Sequence, residues 1–168
     1  MPNYCNNTIE INGNMSDLQP LHDQIEKDGF CETIIPLGER HASEVWGCKH
    51  DMSVCHLELV DNGDGTGLLI VDGDTPWSPP MAVLEKLTEQ YSDTEAWWVE
   101  LGVGFCGQMI GGEVKEWEGV RDLGDIPTRD LNCMLEGLRD WLADEEEMNS
   151  YGGIDWSEVT DEAEPSDA

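Results

Sequence analysis

The chain has 168 residues, near the usual size of one domain and long enough to bury a real core. Its 39% hydrophobic content and 7 Trp exclude a disordered composition, but 8 Lys+Arg stand against 37 Asp+Glu, a formal net charge of -29. Such a surface repels nucleic acid and anionic membranes and favours basic partner proteins or divalent cations; plain solubility or adaptation to high salt is the competing account.

The first strand is expected at Tyr4 to Ile11, where Cys5, Asn7, Ile9 and Ile11 alternate with Tyr4, Asn6, Thr8 and Glu10 before the turn pair Asn12-Gly13. Ser16 with Gln19 three residues on has the pattern of a capping box. Leu18, Leu21 and Ile25 follow at helical spacing, with Pro20 placed in the first turn and Gly29 as the stop.

From Phe30 to Ser53 the periodicity fails. Ile34-Ile-Pro-Leu37 is a short apolar patch, and Gly38 to His50 reads as an irregular excursion inside the same domain. A second strand follows, with Cys55, Leu57 and Leu59 alternating against His56, Glu58 and Val60. Asp61 to Thr66 is hairpin-turn chemistry. Leu68 to Val71 is apolar on both parities, which predicts a strand covered on both faces and ended by Asp72-Gly-Asp74.

Ser78 before Pro79 predicts a helix with proline at its first position, Pro80, Leu84, Leu87 and Tyr91 inside, and Glu85 and Glu89 in water. Ala96 to Leu101 predicts a fourth strand, with Trp97, Val99 and Leu101 opposite Trp98 and Glu100. Gln108 to Trp117 is expected to return as an added hairpin strand. After Glu118, Leu131, Met134, Leu135, Leu138, Trp141 and Leu142 form the stripe of an amphipathic helix that should dock on the domain. Glu136, Asp140, Asp144, Glu145, Glu146 and Glu147 would then make an outward acidic interaction surface, followed by an acidic tail carrying Tyr151 and Trp156.

The order strand, helix, strand, strand, helix, strand predicts an α+β, ferredoxin-like split βαβ fold, an antiparallel sheet with helices on one face. The expected division is a domain over 1–118, an extension with the amphipathic helix over 119–147, and the tail over 148–168.

Five segments together resemble the YubB ferredoxin-like family: Met1-Pro-Asn-Tyr-Cys-Asn-Asn7, Ile9-Glu-Ile-Asn-Gly13, Trp46-Gly-Cys-Lys-His-Asp51, Trp77-Ser-Pro-Pro80 and Glu100-Leu-Gly-Val-Gly-Phe105. Tyr4 stands where the family has Trp, and His50 where it has another aromatic. The resemblance runs from about Met1 to Glu118. It implies the same fold and a bacteriophage or plasmid origin, and it carries over no catalytic residues.

No apolar run reaches the ~20 residues of a membrane span, and the first residues lack the pattern of a signal peptide. A reducing cytoplasm is therefore expected, with the six cysteines as thiols, and the resemblance implies that it is a bacterial host's. Cys48, His50, Cys55 and His56 match no common zinc spacing, and Asp61-Asn-Gly-Asp-Gly65 lacks the alternating oxygen ligands of a calcium loop. No metal or cofactor is expected. No nucleophile motif surrounds any Ser or Cys, so no catalytic residue is assigned. Trp97 or Trp98 on a ferredoxin-like sheet suggests base stacking, but the charge opposes any phosphate run.

One constellation remains: Trp46, Lys49 and Asp51 with Trp77, Pro79 and Pro80. It reads either as a loop pinned by Trp on Pro, with Lys49 and Asp51 satisfying backbone or each other, or as a small pocket in which Lys49 meets an anion. The leading functional expectation is a non-enzymatic phage or plasmid protein whose acidic surface occupies a basic groove of a host protein, as a DNA mimic or in counter-defence. The alternative is a small-ligand binder for a nucleotide signal at the Trp/Lys pocket, and an unrecognised enzyme ranks last.

Overall fold

The structure, a computed structural model, describes residues 3–100 and 105–118. The expected extension over 119–147 with its amphipathic helix, the acidic residues Glu136, Asp140, Asp144, Glu145, Glu146 and Glu147, the tail, and Leu101 of the fourth strand lie outside the described residues.

Strand β1 (Tyr4–Asn14) alternates as its sequence does, with Cys5, Asn7, Ile9 and Ile11 buried. It runs straight into helix α1 (Met15–Asp28). The Ser16/Gln19 capping box does not form. Asn14 occupies the N-cap position without a side-chain bond, Ser16 lies inside the first turn, and the Met15 N–H bonds instead to the Gly65 carbonyl at 2.9 Å. The cause is tertiary: β1 stays paired as far as Asn14 opposite Thr66, so a neighbouring turn satisfies the first helical donor. The early start also moves Pro20 into the second turn. Leu18, Leu21 and Ile25 form the buried stripe, and Gly29, at φ 98, stops the helix with its N–H on the Ile25 carbonyl.

The stretch without periodicity holds two short helices, α2 (Phe30–Ile34) and α3 (Ala42–Val45). Strand β2 (Ser53–Asp61) pairs with β3 (Thr66–Pro76) across the Asp61–Thr66 turn, and the ladder slips between Val54 and His56, leaving Cys55 as a bulge. β3 does not end at Asp72-Gly-Asp74, because β1 continues beside it and pairs Cys5 with Thr75 and Tyr4 with Pro76. Nor is β3 covered on both faces: Leu69 and Val71 are buried, while Leu68 and Ile70 on the other face are half-buried.

Helix α4 (Met81–Gln90) begins after the two prolines, not with Pro79 inside it. A residue that precedes a proline is pushed out of the helical region, which keeps Pro79 outside and leaves Pro80 as the cap residue. Val83, Leu84 and Leu87 are its buried face, and Glu85 and Glu89 are exposed. Strand β4 (Thr94–Glu100) follows. The return expected from Gln108 to Trp117 is two strands, β5 (Phe105–Ile110) and β6 (Glu113–Glu118), hinged at Gly111-Gly112 with φ 59 and 81.

The sheet order is β2-β3-β1-β4-β5-β6, antiparallel throughout. Its first four strands, with α1 and α4, are the ferredoxin-like arrangement, and β5 and β6 widen the sheet past β4. One contiguous core joins Ile9, Ile11, Leu69, Val71, Ala96 and Trp98 of the sheet to Leu18, Ile25, Phe30, Leu84 and Leu87 of the helices. Each fully buried side chain of this kind contributes about 1.5–3 kcal/mol by leaving water.

Candidate interaction surface

At one end of the sheet the two Trp-bearing loops are tied together, since the Ser78 hydroxyl donates to the Gly47 carbonyl at 2.8 Å. Trp46 is buried, 4% exposed, and its indole N–H donates to the Ile35 carbonyl at 2.8 Å. Asp51 is committed to backbone: Oδ1 accepts the N–H groups of Cys31 (2.8 Å) and Met52 (2.7 Å), and Oδ2 accepts that of Glu32 (3.0 Å). Pro79 and Pro80 are buried. Beneath them Thr75, fully buried, donates to the Ser78 carbonyl at 2.7 Å and accepts the Asn7 amide at 3.0 Å. These contacts give Trp46, Asp51 and both prolines structural work.

Lys49 and Trp77 are left over. Lys49 is exposed, and none of the ion pairs among the described residues includes it. Trp77 is 50% exposed at φ 71, the one non-glycine residue with positive φ among those described. A bulky side chain in that region costs roughly 1–2 kcal/mol. The Trp77 backbone N–H bonds to the Asn3 carbonyl at 2.9 Å, and the neighbouring Tyr4 is 55% exposed.

The sheet register reveals a second surface that local sequence patterns do not show. On the face turned away from the helices, neighbouring strands align Glu58, Ile70, Glu10, Glu95, Ile110 and Glu113 in one transverse row. The next row is His56, Asp72, Thr8, Trp97, Gln108 and Lys115. A third begins Ser53, Asp74, Asn6, Val99 and Cys106. Six carboxylates therefore share this face, and Glu10 and Glu95 stand directly opposite one another. Partial burial, then the charges of Glu95 and Asp72, raise the Glu10 carboxyl above the usual glutamate value. Burial also raises Asp74, against the lowering effect of its bond from the Asn6 amide. Alternation within each strand was available as a signal for these residues, but alternation alone does not say which strands are neighbours.

The remaining chemistry is modest. His56 Nε2 lies 3.2 Å from Glu58, the Cys55 thiol donates to the Asp72 carbonyl at 3.4 Å, and Cys48 is buried with its thiol on the His50 carbonyl at 3.1 Å. Among the described residues no group of three or more His, Cys, Asp or Glu is placed to hold a metal ion. Burial pushes the thiols of Cys5 and Cys106 up, the latter to about 11, so neither is a thiolate at neutral pH. Trp98 lies in the core, whereas Trp97 is half-buried on the acidic face. Among the described residues no helix is long and apolar enough to cross a membrane.

No curated protein and no solved structure matches this chain. Residues 49–125 match the family model described as a ferredoxin-like domain in Api92-like protein, a stretch that runs from the Lys49 loop through β6 and leaves β1 and α1 outside it.

Proposed function

We propose that this is a non-enzymatic interaction protein that presents carboxylates from a rigid β-sheet to a basic groove on another protein. The observation that carries the reading is the sheet face on which none of the described helices packs, with Glu10 opposite Glu95 and Glu58, Asp72 and Asp74 around them. Like charges directly opposite on a sheet cost stability in the free protein. That cost disappears when lysine or arginine side chains arrive among them, so the surface favours a cationic partner over water. The net charge of -29 adds long-range attraction to the same kind of partner.

The resemblance to a phage and plasmid family makes the natural partner a host protein in the bacterial cytoplasm, with a groove built for DNA phosphates. The protein would then act as a DNA mimic in counter-defence. The test is affinity capture from bacterial lysate at low and moderate salt, with the wild type beside a Glu10→Gln, Asp72→Asn, Glu95→Gln triple variant. The expected result is one nucleic-acid-processing protein that added duplex DNA displaces and the triple variant fails to hold. A blank at low salt, or equal capture by the variant, overturns the reading.

A second reading rests on exposed Trp77, Tyr4 and Lys49, with Trp77 held at φ 71 and the loops of Trp77 and Lys49 joined by the Ser78–Gly47 hydrogen bond. These groups suit a small planar anion such as a nucleotide, stacked on an aromatic face with Lys49 on its phosphate. Tryptophan fluorescence titrated with a nucleotide panel should show a saturable change that Lys49→Ala and Trp77→Phe both abolish. A flat response across the panel removes this reading.

A further inference from the structure

The sheet face away from the described helices is not uniform. Its β2-β3-β1 half is polar and open, and His56 there keeps half of its side chain exposed. In the same transverse row, across the sheet, Gln108 is only 3% exposed, and Cys106 in the next row is 7% exposed. Neither belongs to the contiguous core on the helix side. The indole nitrogen of Trp97 and the amide oxygen of Gln108 are buried without a hydrogen-bond partner, although they sit on facing residues of β4 and β5. None of the described helices packs on this side of the sheet. Val99 and Trp97 are half-buried there and Ile110 is 38% exposed, so β4 and β5 offer an apolar patch whose polar atoms lack partners.

We infer that the chain's own segment 128–147 covers this patch as an amphipathic helix lying along β4, β5 and β6. The chain leaves the described domain at Glu118, the end of edge strand β6, with 50 residues still to come. The intervening residues 119–127 span up to about 30 Å when extended, enough to turn back over the sheet. A helix over 128–147 is about 30 Å long and roughly 10 Å across, so laid along the strands it covers about the width of β4, β5 and β6. Its stripe of Leu131, Leu135, Leu138 and Leu142 matches an apolar patch, and Trp141 widens it. With that stripe inward, Glu136, Asp140, Asp144 and Glu147 turn outward, away from Glu95 and Glu113 on the sheet. Docked in this way, the segment leaves Glu10, Glu58, Asp72 and Asp74 open on the other half.

Site-resolved thiol labelling of the full chain, read by mass spectrometry, tests this. Cys55 serves as the exposed reference, and Cys5 and Cys31 as buried reporters of the intact core. In the wild type Cys106 should react at least about tenfold more slowly than Cys55, as a locally protected site does. In Leu135→Glu/Leu138→Glu it should approach the Cys55 rate while Cys5 and Cys31 stay protected, and Leu135→Met/Leu138→Met should restore protection. Equal rates for Cys106 and Cys55 in the wild type, or unchanged protection in the Glu variant, would overturn the inference. So would protection that falls on dilution alongside a dimer in sedimentation, since a second copy would then be the cover.

Discussion

The carboxylate of Asp51 does for α2 what its own cap residue, Gly29, cannot. It reaches the Cys31 and Glu32 N–H groups from about twenty residues away and holds the Met52 N–H as well. Asp51→Ala should therefore cost about 1–3 kcal/mol, read from the urea midpoint. Gly29 is bound to the same arrangement, since its φ is 98 and a Cβ there would lie 2.6 Å from Asp51 Oδ2. Gly29→Ala should destabilise by more in the wild type than in an Asp51→Ala background, where the clash is gone and only the backbone penalty remains. Equal costs in the two backgrounds would show that the two residues are not coupled. At Trp77 the reverse holds: Trp77→Gly relieves the positive φ and should leave stability unchanged or raise it by up to ~1 kcal/mol. A clear loss of stability on that change would mean that the indole packs more than its exposure indicates.

At the scale of elements, β1, β3 and β4 juxtapose groups that local sequence keeps apart. Glu10 is raised above the ordinary glutamate value, so the folded chain holds that proton more tightly than the unfolded chain. Stability from this group therefore rises as pH falls through the folded pKa towards the ordinary glutamate value, and it is absent at neutral pH. Glu10→Gln should stabilise the protein at pH 7 by about 0.5 kcal/mol, the scale of a cross-strand pair, and should flatten that part of the pH profile. If the variant and the wild type kept parallel profiles, the Glu10–Glu95 juxtaposition would have no energetic content. Gly107 records another inter-strand constraint. A Cβ there would stand 2.5 Å from Trp98 Cζ2, so Gly107→Ala should overpack the core at a cost of about 1–3 kcal/mol, visible as a lower thermal midpoint.

For the whole molecule, charge is the main influence on stability beyond the core. With -29 net charge, self-repulsion opposes compaction, so the thermal midpoint should rise as NaCl increases from roughly 0.01 to 0.15 M, where the Debye length falls from about 30 to 8 Å. A midpoint that ignored salt would mean that local ion pairing already offsets the excess.

Period-two alternation in β1 and the helical stripes of α1 and α4 were legible directly, because one face of each element must be apolar to reach a core. From these came the element order and the ferredoxin-like topology. The Asp61–Thr66 turn was equally plain, since its chemistry is local. The boundaries were not local. Ser16 lost its cap to a carbonyl from Gly65, and β3 outran its Asp-Gly-Asp stop because β1 continued beside it. The candidate site divided in the same way. Composition announced an acidic protein, and motif spacing singled out Trp46, Lys49, Asp51 and Trp77. Which of them were free was decided by contacts across the chain, through Asp51 on α2 and Trp46 on Ile35. The carboxylates that face one another come from strands far apart in sequence, and only the strand order β2-β3-β1-β4 brings Glu58, Glu10 and Glu95 onto one surface.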